Sequence, residues 1–243
     1  MVNAFVRKLS GLADLGEEDV ATLVSSTSQT RQFAARRDLI REGDRPGPVF
    51  VVLSGWACRY KILPSGTRQI TSFMLPGDSC DLHIAILDEM DHSIQTITKA
   101  SIATISRPTM EEMLDRSPRI GRALYSAQLI DEATLRAWIV SMGRRSSVER
   151  VAHLMCELYV RLQSVHGLQS STVELPVSQL LLADALGMSP VHINRVIRRL
   201  REAGVMEISR RSLRITDPIG LVRVAGFDEN YLHRRLKTTN IMY

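Results

Sequence analysis
Pro176–Thr216 reads PVSQLLLADALGMSPVHINRVIRRLREAGVMEISRRSLRIT, and its punctuation divides it into two short helices joined by a tight turn. The first helix is expected to start near Ser178, and it carries Leu181, Leu182, Ala185 and Leu186. Gly187 stands where a left-handed C-terminal cap belongs. Ser189 followed by Pro190 is a strong helix start: a hydroxyl accepts an orphan N–H, and the proline ring is pre-set for the first helical position. Helix, three-residue turn with glycine, helix is the helix-turn-helix pattern.

The second helix divides cleanly by face. Ile193, Val196, Ile197 and Leu200 fall on one side as a core stripe. Val191, Arg195, Arg198 and Glu202 fall on the other, with Asn194 on the flank. A solvated basic face is the plain reading of such a pattern. A major groove gives each side chain a use: valine against a thymine methyl, Arg195 forked onto a guanine edge, Asn194 paired with adenine. The sequel favours the groove. Gly204 ends the helix, and Val205–Ile208 with Ser212–Ile215 read as a hairpin turning on Arg210-Arg211. A helix-turn-helix followed by a basic β-hairpin is a winged helix.

Charge is distributed to match. The net formal charge is +5 over 243 residues. From Arg144 onward there are 15 Lys/Arg against 9 Asp/Glu, whereas residues 1–143 hold 16 against 17. The basic excess thus lies in the part with the helix-turn-helix, as expected of a phosphate-facing domain. Aromatic residues make up 5%, too few for a stacking platform for single strands. No apolar run approaches the roughly 20 residues of a membrane span. MVNAFVRKLSGLADL lacks a secretory h-region, so a cytoplasmic location and no membrane partner are expected. Cys58, Cys80 and Cys156 lie far apart and form neither a disulfide framework nor a CxxC metal site. There is no Gly-rich phosphate loop, HExxH or nucleophile elbow, and Asp88, Glu89 and Asp91 read as a solvated acidic turn. An enzyme is not expected.

Upstream, residues 3–25 suggest two short helices. From Thr30 the period becomes β-like in VFVVLSGWACRYKIL, TRQITSFML and SIQTITKASIATIS. Gly43, Gly55, Gly66 and Gly77 recur at intervals of 12, 11 and 11, a hairpin spacing that points to a sandwich or rolled barrel. After Pro76-Gly77-Asp78, DLHIAILDEMDH suggests a short helix inserted between strands. Strands stop at Arg107-Pro108, and a long helical region follows, broken near Ser117-Pro118. Within it Ala123, Ala127, Ile130, Thr134, Ala137 and Ser141 form a heptad seam of mostly small residues, read here as the contact between two copies. The competing reading lays this helix on its own β-domain, with Leu124, Leu135 and Trp138 as a bulkier second stripe. Gly143-Arg144-Arg145 is the expected hinge. Ser146 with Glu149 makes a capping box for the next helix, which runs out at Gly167.

Together these parts resemble the Crp/Fnr family of bacterial transcription regulators over roughly Leu15 to Ala225. The most specific portion is LADALGMSPVHINRVIRRLREAGVM; the β-roll matches in glycine pattern rather than in side chains. The resemblance implies an α+β fold with four parts. They are an antiparallel β-roll sensor domain with short N-terminal helices (1–107), a dimerisation helix and hinge (108–143), a winged helix-turn-helix (144–225) and a C-terminal extension of unassigned role (226–243). It implies a homodimer on a palindromic site in double-stranded DNA, with RNA polymerase as a further partner. Val191, Asn194 and Arg195 become the base-reading positions, of which only the arginine matches the commoner family residue. Ser178, Ser189, His192, Arg198, Arg199, Arg210 and Arg211 become phosphate contacts.

For the effector the resemblance is less generous. Where cyclic-AMP-binding members place a glutamate and an Arg-Ser pair, this chain has Leu82 and His92-Ser93, so cyclic-AMP binding of the usual kind is not expected. The N-terminal cysteine set of the iron–sulfur branch is absent, and no such cluster is expected. His83 lies close to where haem-containing members place an axial ligand, and His92 lies on the far side of the expected inserted helix. The pocket is therefore assigned to Leu82, His83, His92 and Ser93 with its ligand unidentified. A haem or other ligand sensor through His83 or His92 is the alternative.

Overall fold
The computed structural model describes residues 2–80, 88–166 and 171–233, with backbone alone for 164–166. In chain order the first elements are helices α1 (Ala4–Leu12) and α2 (Glu17–Ser26). Strands β1 (Thr30–Phe33), β2 (Asp38–Ile40), β3 (Val49–Ser54), β4 (Ala57–Ile62), β5 (Arg68–Met74), β6 (Ser93–Thr96) and β7 (Ala100–Ile105) follow. Then come α3 (Arg107–Arg116), α4 (Pro118–Arg144), α5 (Ser147–His166), β8 (Thr172–Glu174), α6 (Gln179–Leu186) and α7 (Pro190–Glu202). The chain closes with β9 (Met206–Ser209), β10 (Ser212–Ile215), α8 (Pro218–Ala225) and a 3-10 turn at Glu229–Leu232. The fold is α+β, as expected. Of the expected inserted helix, residues 81–92, the part 81–87 lies outside the described residues and the part 88–92 is not helical; the expected helix end at Gly167 also lies outside the described residues.

Two compact units are formed, residues 2–61 with 71–132 and residues 62–70 with 133–233. Sheet β1-β7-β3 and sheet β2-β6-β4-β5 make the roll. Its turns use glycine as the spacing suggested: Gly43, Gly55, Gly66 and Gly77 all have positive φ. At Gly55 a Cβ would also collide with the Lys99 carbonyl, and at Gly77 it would lie 2.8 Å from the Ala4 carbonyl oxygen. Glycine is therefore required there twice over. The core joins Phe5 and Leu9 of α1, Leu23 of α2, Val51, Val52, Ile94 and Ile102 of the strands, and Met110, Met113 and Ile120 of the helices. Ser106 caps α3, its hydroxyl accepting from the Thr109 amide at 3.2 Å, and Ser117-Pro118 breaks α3 from α4.

The second unit packs α5 against α7 and α8, with Val151, Met155, Leu158, Leu182, Ile193, Leu200, Leu213 and Leu221 buried between them. The capping box is present: Ser146 N–H donates to Glu149 Oε2 at 2.7 Å, and Glu149 N–H donates to Ser146 Oγ at 3.4 Å. One carboxylate is sealed into this core. Glu157 accepts from Trp138 Nε1 at 2.9 Å, Tyr231 Oη at 3.0 Å and Arg161 at 3.1 Å. Burial pushes the Glu157 carboxyl up, while the Arg161 charge and the three donors pull it back. This ties part of the C-terminal extension, at Tyr231, into the core.

The small-residue stripe of α4 has a different role from the one expected. Ala123, Ala127, Thr134 and Ser141 are buried within their own chain, and Ile130 and Ala137 are half-buried. Ala123 and Ala127 belong to the first unit's core, as does Leu124. Small side chains let α4 lie close to its own chain, so the four buried members are already covered and do not offer a second copy the whole expected seam. The row left outside is bulkier: Tyr125 (61% exposed), Leu129, Ile139 (70%) and Val140 (53%). Leu135, assigned to the inward stripe, is also on the outside, whereas Leu124 and Trp138 are buried as that stripe required.

Candidate nucleic-acid interface
Helix α6 begins with Ser178, whose hydroxyl accepts from the Leu181 amide at 3.3 Å, and ends at Gly187 with φ +62°. A Cβ at Gly187 would stand 2.7 Å from the Met142 ε-methyl, so the turn is tight as well as left-handed. Met188 and Ser189 complete it. The Ser189 hydroxyl accepts from the His192 amide at 3.2 Å, and Pro190 occupies the first helical position of α7. Both serines therefore act as caps. At a helix N-terminus that also leaves exposed hydroxyls beside orphan amides, a local arrangement suited to a phosphate.

The inward face of α7 is Ile193, Val196 and Leu200, all buried, with Ile197 half-buried. Outward lie Val191 (63% exposed), His192, Asn194, Arg195, Arg198 and Arg199. Asn194 Nδ2 donates to Gln179 Oε1 of α6 at 3.3 Å, and Arg198 lies 3.6 Å from Glu202, a mostly exposed pair of small energetic weight. Arg195 has no hydrogen-bond or ion-pair partner among the described residues. Its guanidinium is held out by a helix whose opposite face is anchored in the core.

The expected hairpin forms as β9 and β10 in antiparallel register, Ser209 opposite Ser212, leaving Arg210-Arg211 as the turn. Arg210 takes φ +53°, a conformation costly for a side chain with a Cβ, and both arginines are exposed. A third strand escaped the sequence reading: β8 pairs with β10 through Glu174–Ser212 and Thr172–Arg214. The alternation of Thr172, Val173, Glu174 and Leu175 was the available signal, too short beside Pro176 to stand out. Two supporting residues were also missed. Gln179 orients Asn194, and Arg150 donates to the Leu186 carbonyl at 2.9 Å and the Met142 carbonyl at 3.0 Å. Arg150 thereby pins the α4–α5 junction to an orphan carbonyl at the end of α6. On the other side of α6, Asp184 pairs with Arg68 at 2.6 Å.

The residues assigned to an effector pocket fare differently. Leu82 and His83 lie outside the described residues. His92 is buried, accepts at Nε2 from Arg59 Nε at 3.1 Å and meets Asp91 Oδ1 through Nδ1 at 2.7 Å. Because a guanidinium only donates, Nε2 is the acceptor and Nδ1–H the donor to Asp91. That hydrogen bond from His92 holds the Asp91 carboxyl below its ordinary range. The lone pair an iron would need is already taken. Ser93 is engaged too, its hydroxyl accepting from the Glu42 amide at 2.9 Å. Next to them Tyr60 and Gln95 both donate to Asp38 Oδ1, at 3.1 and 2.9 Å. Burial, then the Asp38 charge, pushes the Tyr60 hydroxyl up. Among the described residues no group of His, Cys, Asp and Glu is placed to hold a metal ion, and no helix is long and apolar enough to cross a membrane.

Comparison with known proteins gives two family models, a cyclic nucleotide-binding domain over residues 30–117 and a Crp-like helix-turn-helix domain over residues 149–224. Among curated proteins, the chain is 26% identical to the transcriptional activator protein FnrA of Stutzerimonas stutzeri, covering 90% of each chain. It is 27% identical to the nitrogen fixation regulation protein FixK of Bradyrhizobium diazoefficiens, covering 80% of this chain and 81% of the relative. Among solved structures, FixK2 from Bradyrhizobium japonicum matches with a TM-score of 0.74 at 21% identity, over 82% of this chain and 98% of that one.

Proposed function
Because this chain belongs to the Crp/Fnr family of transcription regulators, we propose that it binds, as a homodimer in the cytoplasm, a palindromic site in duplex DNA and acts there on RNA polymerase. The observation that carries the reading is Arg195, held outward without a partner among the described residues, on a helix anchored by Ile193, Val196 and Leu200. Arg195 reads a guanine, with Val191 and Asn194 reading beside it. Ser178, Ser189, His192, Arg198, Arg199, Arg210 and Arg211 contact phosphates and set the register.

Two α7 helices must enter successive major grooves about 34 Å apart, so the dimer is part of the reading. The outer row of α4, Tyr125, Leu129, Ile139 and Val140, supplies the apolar surface for it. Any effector acts by binding the DNA-competent arrangement more tightly than the other. The engagement of His92 and Ser93 within the roll supports an effector other than cyclic AMP or haem held at those residues.

Selection of bound sequences from random duplexes tests the proposal. An enriched palindrome is expected, with a guanine in each half-site that loses enrichment in Arg195→Ala. Ile139→Glu is expected to give a folded monomer by light scattering, with operator affinity weakened about 10³-fold or more, to the non-specific level. Binding without sequence preference, or a monomer with full operator affinity, would sink the reading.

A further inference from the structure
Gln179 is the first residue of α6, directly after the Ser178 cap, and Asn194 stands on the outward flank of α7. The two side chains meet: Asn194 Nδ2 donates to Gln179 Oε1 at 3.3 Å. Both residues are exposed, and neither side chain has another hydrogen-bond partner among the described residues. The helices that carry them are well anchored. Leu182, Ala183, Ala185 and Leu186 of α6 are buried, as are Ile193, Val196 and Leu200 of α7.

An exposed amide pair adds little to the stability of a fold, because water competes for both groups. Its consequence here is orientation. A carboxamide has two N–H donors and one carbonyl acceptor, and half a turn exchanges their places. Gln179 Oε1 can only accept, so it holds the Asn194 amino group on its own side and decides which way the amide faces. One N–H is then committed to Gln179. The second N–H and the carbonyl oxygen of Asn194 are left over, the donor and acceptor that match N7 and N6 of adenine. Turned over, the same amide would offer two N–H donors, which suit the two acceptors of guanine instead.

We propose that Gln179 is a positioning residue that makes Asn194 an adenine reader, so that the two amides act as one specificity element. The proposal rests on the reading of α7 as the groove helix and goes beyond it, because it gives a residue of α6 control over a base-pair preference. A duplex seated on this face excludes water, so the Asn194–Gln179 bond strengthens where it is used.

Selection from random duplexes and anisotropy titrations test this with the full chain and the variants Gln179→Met, Gln179→Glu and Asn194→Ala. Methionine keeps the length and removes the amide. Glutamate keeps an acceptor at the same reach and adds a negative charge. Gln179→Met is expected to lower the adenine preference at one base pair beside the Arg195 guanine by roughly threefold to tenfold per half-site, the value of one hydrogen bond. The guanine preference should stay. Gln179→Glu should keep the adenine preference while weakening every sequence alike through repulsion from phosphates. In the Asn194→Ala background Gln179→Met should alter sequence preference no further, since the side chain it positions is gone. Melting temperatures should be unchanged throughout.

Uniform weakening of all sequences by Gln179→Met in both backgrounds would make Gln179 a phosphate contact and overturn the proposal. Equal loss of the adenine preference in Gln179→Met and Gln179→Glu, a loss accompanied by a large fall in melting temperature, or guanine preferred at that base pair by the unaltered chain would also overturn it. The two readings fail distinguishably. Absence of any enriched palindrome defeats the DNA reading and this one with it, whereas a guanine dependent on Arg195 beside a base pair indifferent to Gln179 defeats this one alone.

Discussion

The outer face of α7 and the polar clusters buried elsewhere are made from the same kinds of side chain, arranged to opposite ends. In the roll, Arg59, His92 and Asp91 satisfy one another. In the second unit, Arg161, Trp138 and Tyr231 converge on Glu157. On α7, Arg195 is engaged by nothing in its own chain among the described residues. Buried charge without a partner is untenable, whereas exposed charge without a partner costs little and remains available. Variants of the buried clusters should therefore change stability and leave DNA binding by the folded protein intact. Variants of α7 should do the reverse.

Among the buried polar clusters the largest effect is expected at Glu157. Arg161→Met leaves a fully buried carboxylate facing only Trp138 and Tyr231 among the partners described. Loss of one member of a buried pair costs about 3–5 kcal/mol, which urea unfolding would register directly. Operator affinity, measured where the variant is still folded, should stay within a few-fold. An unchanged midpoint would mean that the carboxylate is not held as the hydrogen bonds indicate.

Legibility followed the same division. The helix-turn-helix was readable because its signals are local: a serine cap, a proline at the first helical position, a glycine with φ +62° and a 3.6-residue stripe all lie within one stretch. The roll was readable at Gly43, Gly55, Gly66 and Gly77, where positive φ demands one residue type. The Glu157 cluster was not, because Trp138 and Tyr231 lie 19 and 74 positions from it along the chain. Nor could periodicity say which side of α4 faces in. Ala123 and Ala127 would suit a close helix–helix seam and a close helix–sheet packing equally well, and the structure uses them for the chain's own core. For that reason Ala127→Glu, which on the seam reading would merely separate two copies, should instead unfold the chain.

Acid provides a second test of the buried side. Held down by burial and then by the Arg145 charge, His153 titrates at about 4 in the folded chain against an ordinary value of 6.5. Between those values the unfolded chain binds the proton more readily, so the stability is present above pH 6.5 and is lost as pH falls toward 4. A shift of that size corresponds to at most about 3 kcal/mol at the acid end. His153→Phe keeps a ring between Tyr231 and Phe227 and removes the titrating group. Glu157 contributes with the opposite sign in both proteins, so the difference between them isolates the histidine. Parallel stability profiles from pH 7 to 4 would mean that the imidazole is not withheld from solvent.

On the exposed side, Arg195→Ala should cost about 1–3 kcal/mol per half-site and relax preference at one base pair. The melting temperature should not move, since no hydrogen bond or ion pair to the described residues is removed. Thermal unfolding and anisotropy titrations on matched and mismatched duplexes separate the two effects. A large fall in melting temperature would place the guanidinium among the structural residues rather than the reading ones.

The smallest effect sharpens the contrast most, because stability and binding should move in opposite directions. Arg210 sits at φ +53° at the tip of the wing, a conformation that costs a residue with a Cβ roughly 1–2 kcal/mol relative to glycine. Arg210→Gly relieves that cost but loosens the unfolded chain, so a net gain of at most about 1 kcal/mol is expected. The same change removes a cation aimed at phosphate. The slope of log affinity against log salt should then fall by about one for each phosphate that the wing no longer neutralises. A more stable protein with a shallower salt dependence would show strain held at the wing tip for the sake of a charge delivered to DNA. If stability drops instead, the Arg210 side chain supports the turn, and the wing belongs with the clusters that engage their charges internally.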